Sequence, residues 1–229
     1  MAGSIGELPG FVDLGEVGPL KVSIDELMAL PEEEAAKRLR QMLERVRALG
    51  LARRLRAIEQ TPETSFVLGA AVRAYAQARV VHMVRDGRDV VCSLLAKGWL
   101  SYERSGRDDV GGAYGGHARA WVEPQRVEQF ERASDARRAA WAWRRYVTAA
   151  RAAAPASTLE VRYEELAADP RTVAEPLAEH LAADREALAQ ALADVHAESV
   201  GRFRRDLSAE QLADVAAEAG ALLRELGYA

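Results

Sequence analysis

The stretch from Ala78 to Ser93 constrains this chain more than any other. A β-branched apolar run, Val80 to Val84, meets a charged turn, Arg85-Asp86-Gly87-Arg88-Asp89, and a helical pattern follows that carries Ser93. A strand feeding directly into a helix is the building unit of a parallel sheet. Such sheets collect ligands at the carboxyl ends of their strands, where helix N-termini attract anions. Arg85 stands at that junction, and its planar guanidinium can hold two phosphate oxygens at once. The amides near Gly87 add partial positive charge at the helix start. Ser93 follows Asp86 by two helical turns on the same face, so its hydroxyl can reach an oxygen held by Arg85. The same residues also fit a solvated charged turn in which Arg85 pairs with Asp89 or Glu164.

The remaining pattern alternates strands and helices, which implies an α/β fold with a parallel sheet covered on its faces. Phe11 to Leu14 reads as a short strand ending at Gly15-Glu16. Ser23 and Glu26 form a capping-box pattern, and Pro31 suits the first position of a helix. That helix stripes Leu39, Met42, Leu43, Val46 and Leu49 and stops at Gly50. Leu55 to Ile58 is a candidate strand. Thr61-Pro62-Glu63 reads as an N-cap with proline at the first helical position, opening a helix to about Ala76. The glycine-rich stretch from Ser101 to Asp135 breaks the rhythm and reads as a mobile lid or as disorder. Helix returns from about Ala136 to Ala153, and Ser157 to Arg162 alternates as a strand. Asp169-Pro170 is a second N-cap and proline pair. Ser208 with Gln211 is a second capping box, opening a last helix that Gly227 ends.

At 229 residues the chain is long enough for one sizeable domain with a real core. A net charge of −4 gives no general affinity for nucleic acid or anionic membrane. Any anion site must therefore be local. Cys92 is the only cysteine, which excludes an intrachain disulfide and a cysteine-only metal site and fits a reducing compartment. No His, Cys or carboxylate spacing suggests a metal. No signal peptide or membrane span is legible, so a cytoplasmic location is the default expectation.

The run Val84-Arg85-Asp86-Gly87-Arg88-Asp89-Val90-Val91-Cys92-Ser93 resembles the 3′-phosphate motif of the sulfotransferase family, whose donor is 3′-phosphoadenosine 5′-phosphosulfate (PAPS). Further resemblances follow in family order. Thr61-Pro62-Glu63 is similar to the Lys-Thr-Pro segment. Val161-Arg162-Tyr163-Glu164-Glu165-Leu166 with Asp169-Pro170 is similar to the Arg-Tyr-Glu-Asp-Leu and Asp-Pro segment. Val200-Gly201-Arg202-Phe203 resembles the Gly-Arg-Trp stretch before the last helix of bacterial members, and Leu226-Gly227-Tyr228 resembles their ending. The resemblance implies a P-loop-like three-layer α/β fold, Arg85 and Ser93 on the donor's 3′-phosphate, and no metal. It puts Tyr163 near the nucleotide, against a core tyrosine at a strand end. It lets Arg202, Arg204 and Arg205 reach the 3′-phosphate, against a solvated basic turn.

Three departures stand out. Gln60 occupies the place of the family lysine, and His196-Ala197-Glu198 replaces an Arg-Lys-Gly stretch. The family's glycine-rich P-loop, with its Arg-Ser-Gly-Thr-like core, is absent from the chain. Met1 to Leu8 resembles the end of the helix that follows that loop, so the chain is expected to begin inside the domain. Loss of the strand before the loop would expose sheet edges and favour self-association.

In the branch resembling tyrosylprotein sulfotransferases, a glutamate just after the P-loop helix is the general base. Glu16 occupies the matching place, with a surface carboxylate as the alternative. His82 is expected to be packed or hydrogen-bonded in its strand, His117 solvated, and Cys92 a buried apolar residue. The expected activity is sulfuryl transfer from PAPS to a hydroxyl or amine of a small-molecule or peptidyl acceptor. The alternative is an inactive relative that binds nucleotide or serves as a helical interaction partner.

Overall fold

The computed structural model describes residues 1–49, 55–97, 100, 120–195 and 197–228. Of the expected lid, residues 101–119 lie outside them, as do Gly50, His117 and His196. In chain order the elements are α1 (Ala2–Gly6), β1 (Phe11–Asp13), α2 (Gly18–Val22), α3 (Ile24–Ala29), α4 (Glu32–Leu49), β2 (Arg56–Ile58), α5 (Leu68–Ala74), β3 (Val81–Val84), α6 (Gly87–Lys97), α7 (Val127–Glu131), α8 (Asp135–Ala153), β4 (Leu159–Arg162), α9 (Tyr163–Ala168), α10 (Pro170–Leu181), α11 (Arg185–Leu192), α12 (Phe203–Asp206) and α13 (Ala209–Glu225). The chain divides into two compact units, one of Met1–Val84 with Ala149–Ala197 and one of Arg85–Thr148 with Glu198–Ala229.

The first unit holds the four strands found among the described residues. β1 pairs in parallel with β2, and β3 pairs in parallel with β4 in the register Val81 to Leu159 and Val84 to Arg162. The α/β class and the parallel pairing follow the sequence pattern. Among the described residues the strands form two separate pairs. Both pairs rest on one apolar layer. Phe11 and Ile58 from one pair, and Val81, Met83 and Leu159 from the other, pack against a cluster built on Ile5, Leu8, Leu166, Leu177, Leu188 and Leu192. Leu177, Leu188 and Leu192 are fully buried there. Burying a leucine of this kind contributes about 1.5–3 kcal/mol, so α10 and α11 anchor the strands.

Helix boundaries follow their caps where a cap forms. Asp169 accepts the Arg171 and Thr172 amides and opens α10, and the Ser208–Gln211 capping box opens α13. Ser23 makes no side-chain cap, because its backbone continues straight on from α2 and Glu26 pairs with Arg38 instead. Thr61 makes no cap either. Its hydroxyl accepts the Val17 amide at 2.7 Å, and Pro62–Val67 winds as a 3-10 turn before α5 begins. His82 behaves as expected: its Nδ1 lies 3.3 Å from a Glu160 carboxylate oxygen that Arg151 also engages at 2.7 Å. Burial holds the His82 imidazole below its usual range, against the upward pull of Glu160.

In the second unit, α8 and α13 are tied by Glu218, which accepts from Arg137 at 3.3 Å and Arg144 at 2.7 Å. Phe130 meets Trp141 edge to face with centroids 5.2 Å apart. Arg88 fastens the C-terminal residues. It chelates Asp86, donates to the Tyr228 carbonyl at 2.6 Å and lies 4.0 Å over the Phe203 ring. This gives the Leu226-Gly227-Tyr228 ending a structural task.

Candidate anion site at the start of α6

The site is built around one buried carboxylate. Asp89, in the first turn of α6, is fully buried. A buried charge is costly unless it is paired and hydrogen-bonded. Here the Gly201 amide donates to Oδ2 at 2.7 Å and the Phe203 amide donates to Oδ1 at 3.0 Å. The Arg85 guanidinium stands 3.9 Å from Oδ2 and donates to the Ser199 carbonyl at 2.5 Å. The charged-turn alternative was therefore right in part, because Arg85 does pair with Asp89. That pairing belongs to a larger arrangement in which α6 and residues 199–206 are held together.

The turn beneath Arg85 is pinned by Trp143. The indole Nε1 donates to the Arg85 carbonyl at 3.1 Å. A Cβ on Gly87 would fall 2.6 Å from two carbons of the indole ring. Only glycine allows α6 to start this close to α8.

The helix N-terminus itself is less open than the sequence suggests. The Asp86 carboxylate accepts the Arg88 amide at 2.9 Å and the Arg88 guanidinium at 2.7 Å. The first turn is thus capped by the chain's own acid, and cationic character comes from side chains on the flank of α6. Ser93 lies two turns into α6 and is partly exposed. Arg202 sits between the two amides that Asp89 holds, and its Nε donates to Asp206 at 2.7 Å. Its charge acts on the Cys92 thiol, where burial dominates and pushes the thiol up to about 11. A thiol so shielded, in a residue 3 % exposed, is inert. Alkylation of Cys92 by iodoacetamide at pH 7.5 is expected to be at least about 100-fold slower in the native chain than in denaturant. Equal rates would contradict this placement.

Glu16 and Tyr163 belong to the first unit. Glu16 follows Gly15, whose φ of +65° favours glycine. Its half-exposed carboxylate pairs with Lys21, a residue whose side chain is 14 % exposed. The Val17 amide bond to Thr61 fixes the backbone beside it. Gln60 donates to Asp13 at 2.8 Å. Tyr163 is the first residue of α9, directly after β4, and is half-buried. Thus Arg85, Ser93 and Arg202 share one unit, while Glu16 and Tyr163 share the other. A cavity of about 380 Å³ in the first unit, lined by Leu8, Phe11, Arg56 and Asp184 among others, includes none of these residues. Sequence reasoning missed the roles of Asp89, Ser199, Gly201 and Trp143. Only the Val200-Gly201-Arg202-Phe203 resemblance pointed towards the partner segment.

No group of three or more metal-ligating side chains occurs among the described residues, and no described helix is long and apolar enough to cross a membrane. No curated protein and no solved structure matches the chain. A family model described as Sulfotransferase family matches residues 20–187, well over half of it, including all of α6 and the β4–α9 junction. With its parallel strands and its strand-to-helix arginine, the chain belongs to the sulfotransferase family, whose chemistry is sulfuryl transfer.

Proposed function

We propose that the chain transfers a sulfuryl group from PAPS to a hydroxyl or amine acceptor, and that the flank of α6 takes the donor's 3′-phosphate. The observation that carries this reading is Arg85, held at the β3–α6 junction with Ser93 in the same helix and the Arg202 segment clamped alongside. Guanidinium and hydroxyl donors suit a phosphate monoester dianion. The two nearby acids do not oppose it. Asp86 is neutralised by Arg88, and Asp89 is satisfied by two amides and faces Arg85. Tyr163 is proposed to lie near the nucleotide.

Transfer is an in-line displacement at sulfur. The acceptor's O–S or N–S bond forms as the bond from sulfur to the phosphate oxygen breaks, and 3′-phosphoadenosine 5′-phosphate (PAP) leaves. The acceptor proton needs a base, and Glu16 is proposed for it because its carboxylate is half-exposed on a fixed backbone. Donor binding and proton removal are then separable. Glu16→Gln is expected to lower PAP release from PAPS in the presence of an accepted substrate by at least about 100-fold, with PAP affinity unchanged. Unchanged turnover removes Glu16 from the chemistry. Self-association of the chain is proposed as well, because among the described residues the strands form two separate pairs whose outer edges pair with no other strand.

A further inference from the structure

We propose that Asp89 is a positioning residue for donor binding, acting by setting Arg202 beside Arg85; this rests on the reading of the α6 flank as the 3′-phosphate site. The geometry is specific. The turn at residues 199–203 wraps the Asp89 carboxylate, with Gly201 in the left-handed region at φ +72°. Its Ser199 carbonyl faces the Arg85 guanidinium, while the amides of Gly201 and Phe203 face Asp89. Arg202 is therefore fixed on both sides of its own backbone by one carboxylate. Its guanidinium is braced from α12 by Asp206, so the side chain is oriented as well as anchored.

Asp89 also stands 3.9 Å from Arg85, so the two cations are referenced to the same group. An acid at this position does not bind an anion. Its effect is to hold two arginines where one anion can meet both. Buried and satisfied by the chain itself, Asp89 has no other task visible in the site. The family match ends at residue 187, before the segment that Asp89 holds.

The test is a double-mutant cycle read as PAP affinity by calorimetry. Arg202→Ala is expected to weaken PAP by at least about 5-fold in the wild-type background and by less than about 2-fold in an Asp89→Asn background, because the segment is no longer set. Asp89→Asn alone is expected to weaken PAP by about 10-fold or more, since its amide nitrogen would face a backbone N–H. A purely structural Asp89 would leave the Arg202→Ala effect the same in both backgrounds, and that result overturns the proposal. So does an Arg202→Ala variant that binds PAP as the wild type does.

Arg85→Ala separates the two claims. If it binds PAP normally, the anion-site reading itself fails. If it is weakened while Asp89→Asn is not, only the positioning role fails. Should Asp89→Asn not fold, amide hydrogen exchange on the wild-type chain decides. PAP is expected to slow exchange at Gly201 and Phe203 by several-fold, and no change at either amide overturns the proposal.

Discussion

Arg85→Ala is expected to weaken PAP binding by about 100-fold. A bidentate guanidinium on a phosphate makes two charge-assisted hydrogen bonds, each contributing about 1.5–3 kcal/mol, and about 1.4 kcal/mol is tenfold in affinity. Losing both therefore costs at least about 3 kcal/mol of binding. The variant also leaves Asp89 without its nearest cation, but the two backbone amides remain on the carboxylate. The fold should survive, with a thermal midpoint close to the wild type in the absence of nucleotide. Arg85→Lys keeps the charge and loses the planar fork, so it should recover only part of the affinity. Calorimetric titration of both variants checks this. An Arg85→Ala variant as tight as the wild type would remove Arg85 from the site.

Gly87→Ala carries the second large effect, this time on stability. Its new methyl would sit 2.6 Å from the Trp143 ring, a separation that real Cβ atoms do not show. Either α6 or the indole must shift. Overpacking of this kind costs about 1–3 kcal/mol. For a chain of this length that is a fall in thermal midpoint of about 5 °C. The shift also strains the Trp143 bond to the Arg85 carbonyl, so PAP affinity should fall with stability. Shrinking the other partner tests the cause: Trp143→Leu in the Gly87→Ala background should recover part of the lost midpoint. A Gly87→Ala chain as stable as the wild type would contradict the close approach.

These two residues show what the sequence discloses and what it hides. The strand, the turn and the helix around Arg85 were legible because a β-branched run gives way to helical spacing at a glycine. Asp169-Pro170 and Ser208 with Gln211 were legible because N-caps act over three residues. The same local logic failed at Ser23 and Thr61, where neighbouring backbone claimed the conformation or the hydroxyl. Helix α11 is absent from the sequence expectations, although Asp184 caps it through the Ala187 amide at 2.8 Å and Leu188 and Leu192 form its buried stripe.

The candidate site divides in the same way. Arg85 and Ser93 are legible from the strand-to-helix junction and helical spacing, and Arg202 from motif resemblance. Asp89 read as one more charge in a solvated turn, because its amide partners lie more than 100 residues away. Gly87 carries no side chain to announce that an indole lies against it. Long-range partners are set by packing, and a single sequence does not display packing.

Calorimetric titration of the wild-type chain with PAP, compared with 5′-AMP, which lacks the 3′-phosphate, tests the α6 flank as a 3′-phosphate site. One saturable PAP site is expected, with 5′-AMP binding at least about 10-fold more weakly because the contacts proposed for Arg85 and Ser93 go to the missing group. Equal affinities for the two nucleotides, or no heat at millimolar PAP, would contradict it.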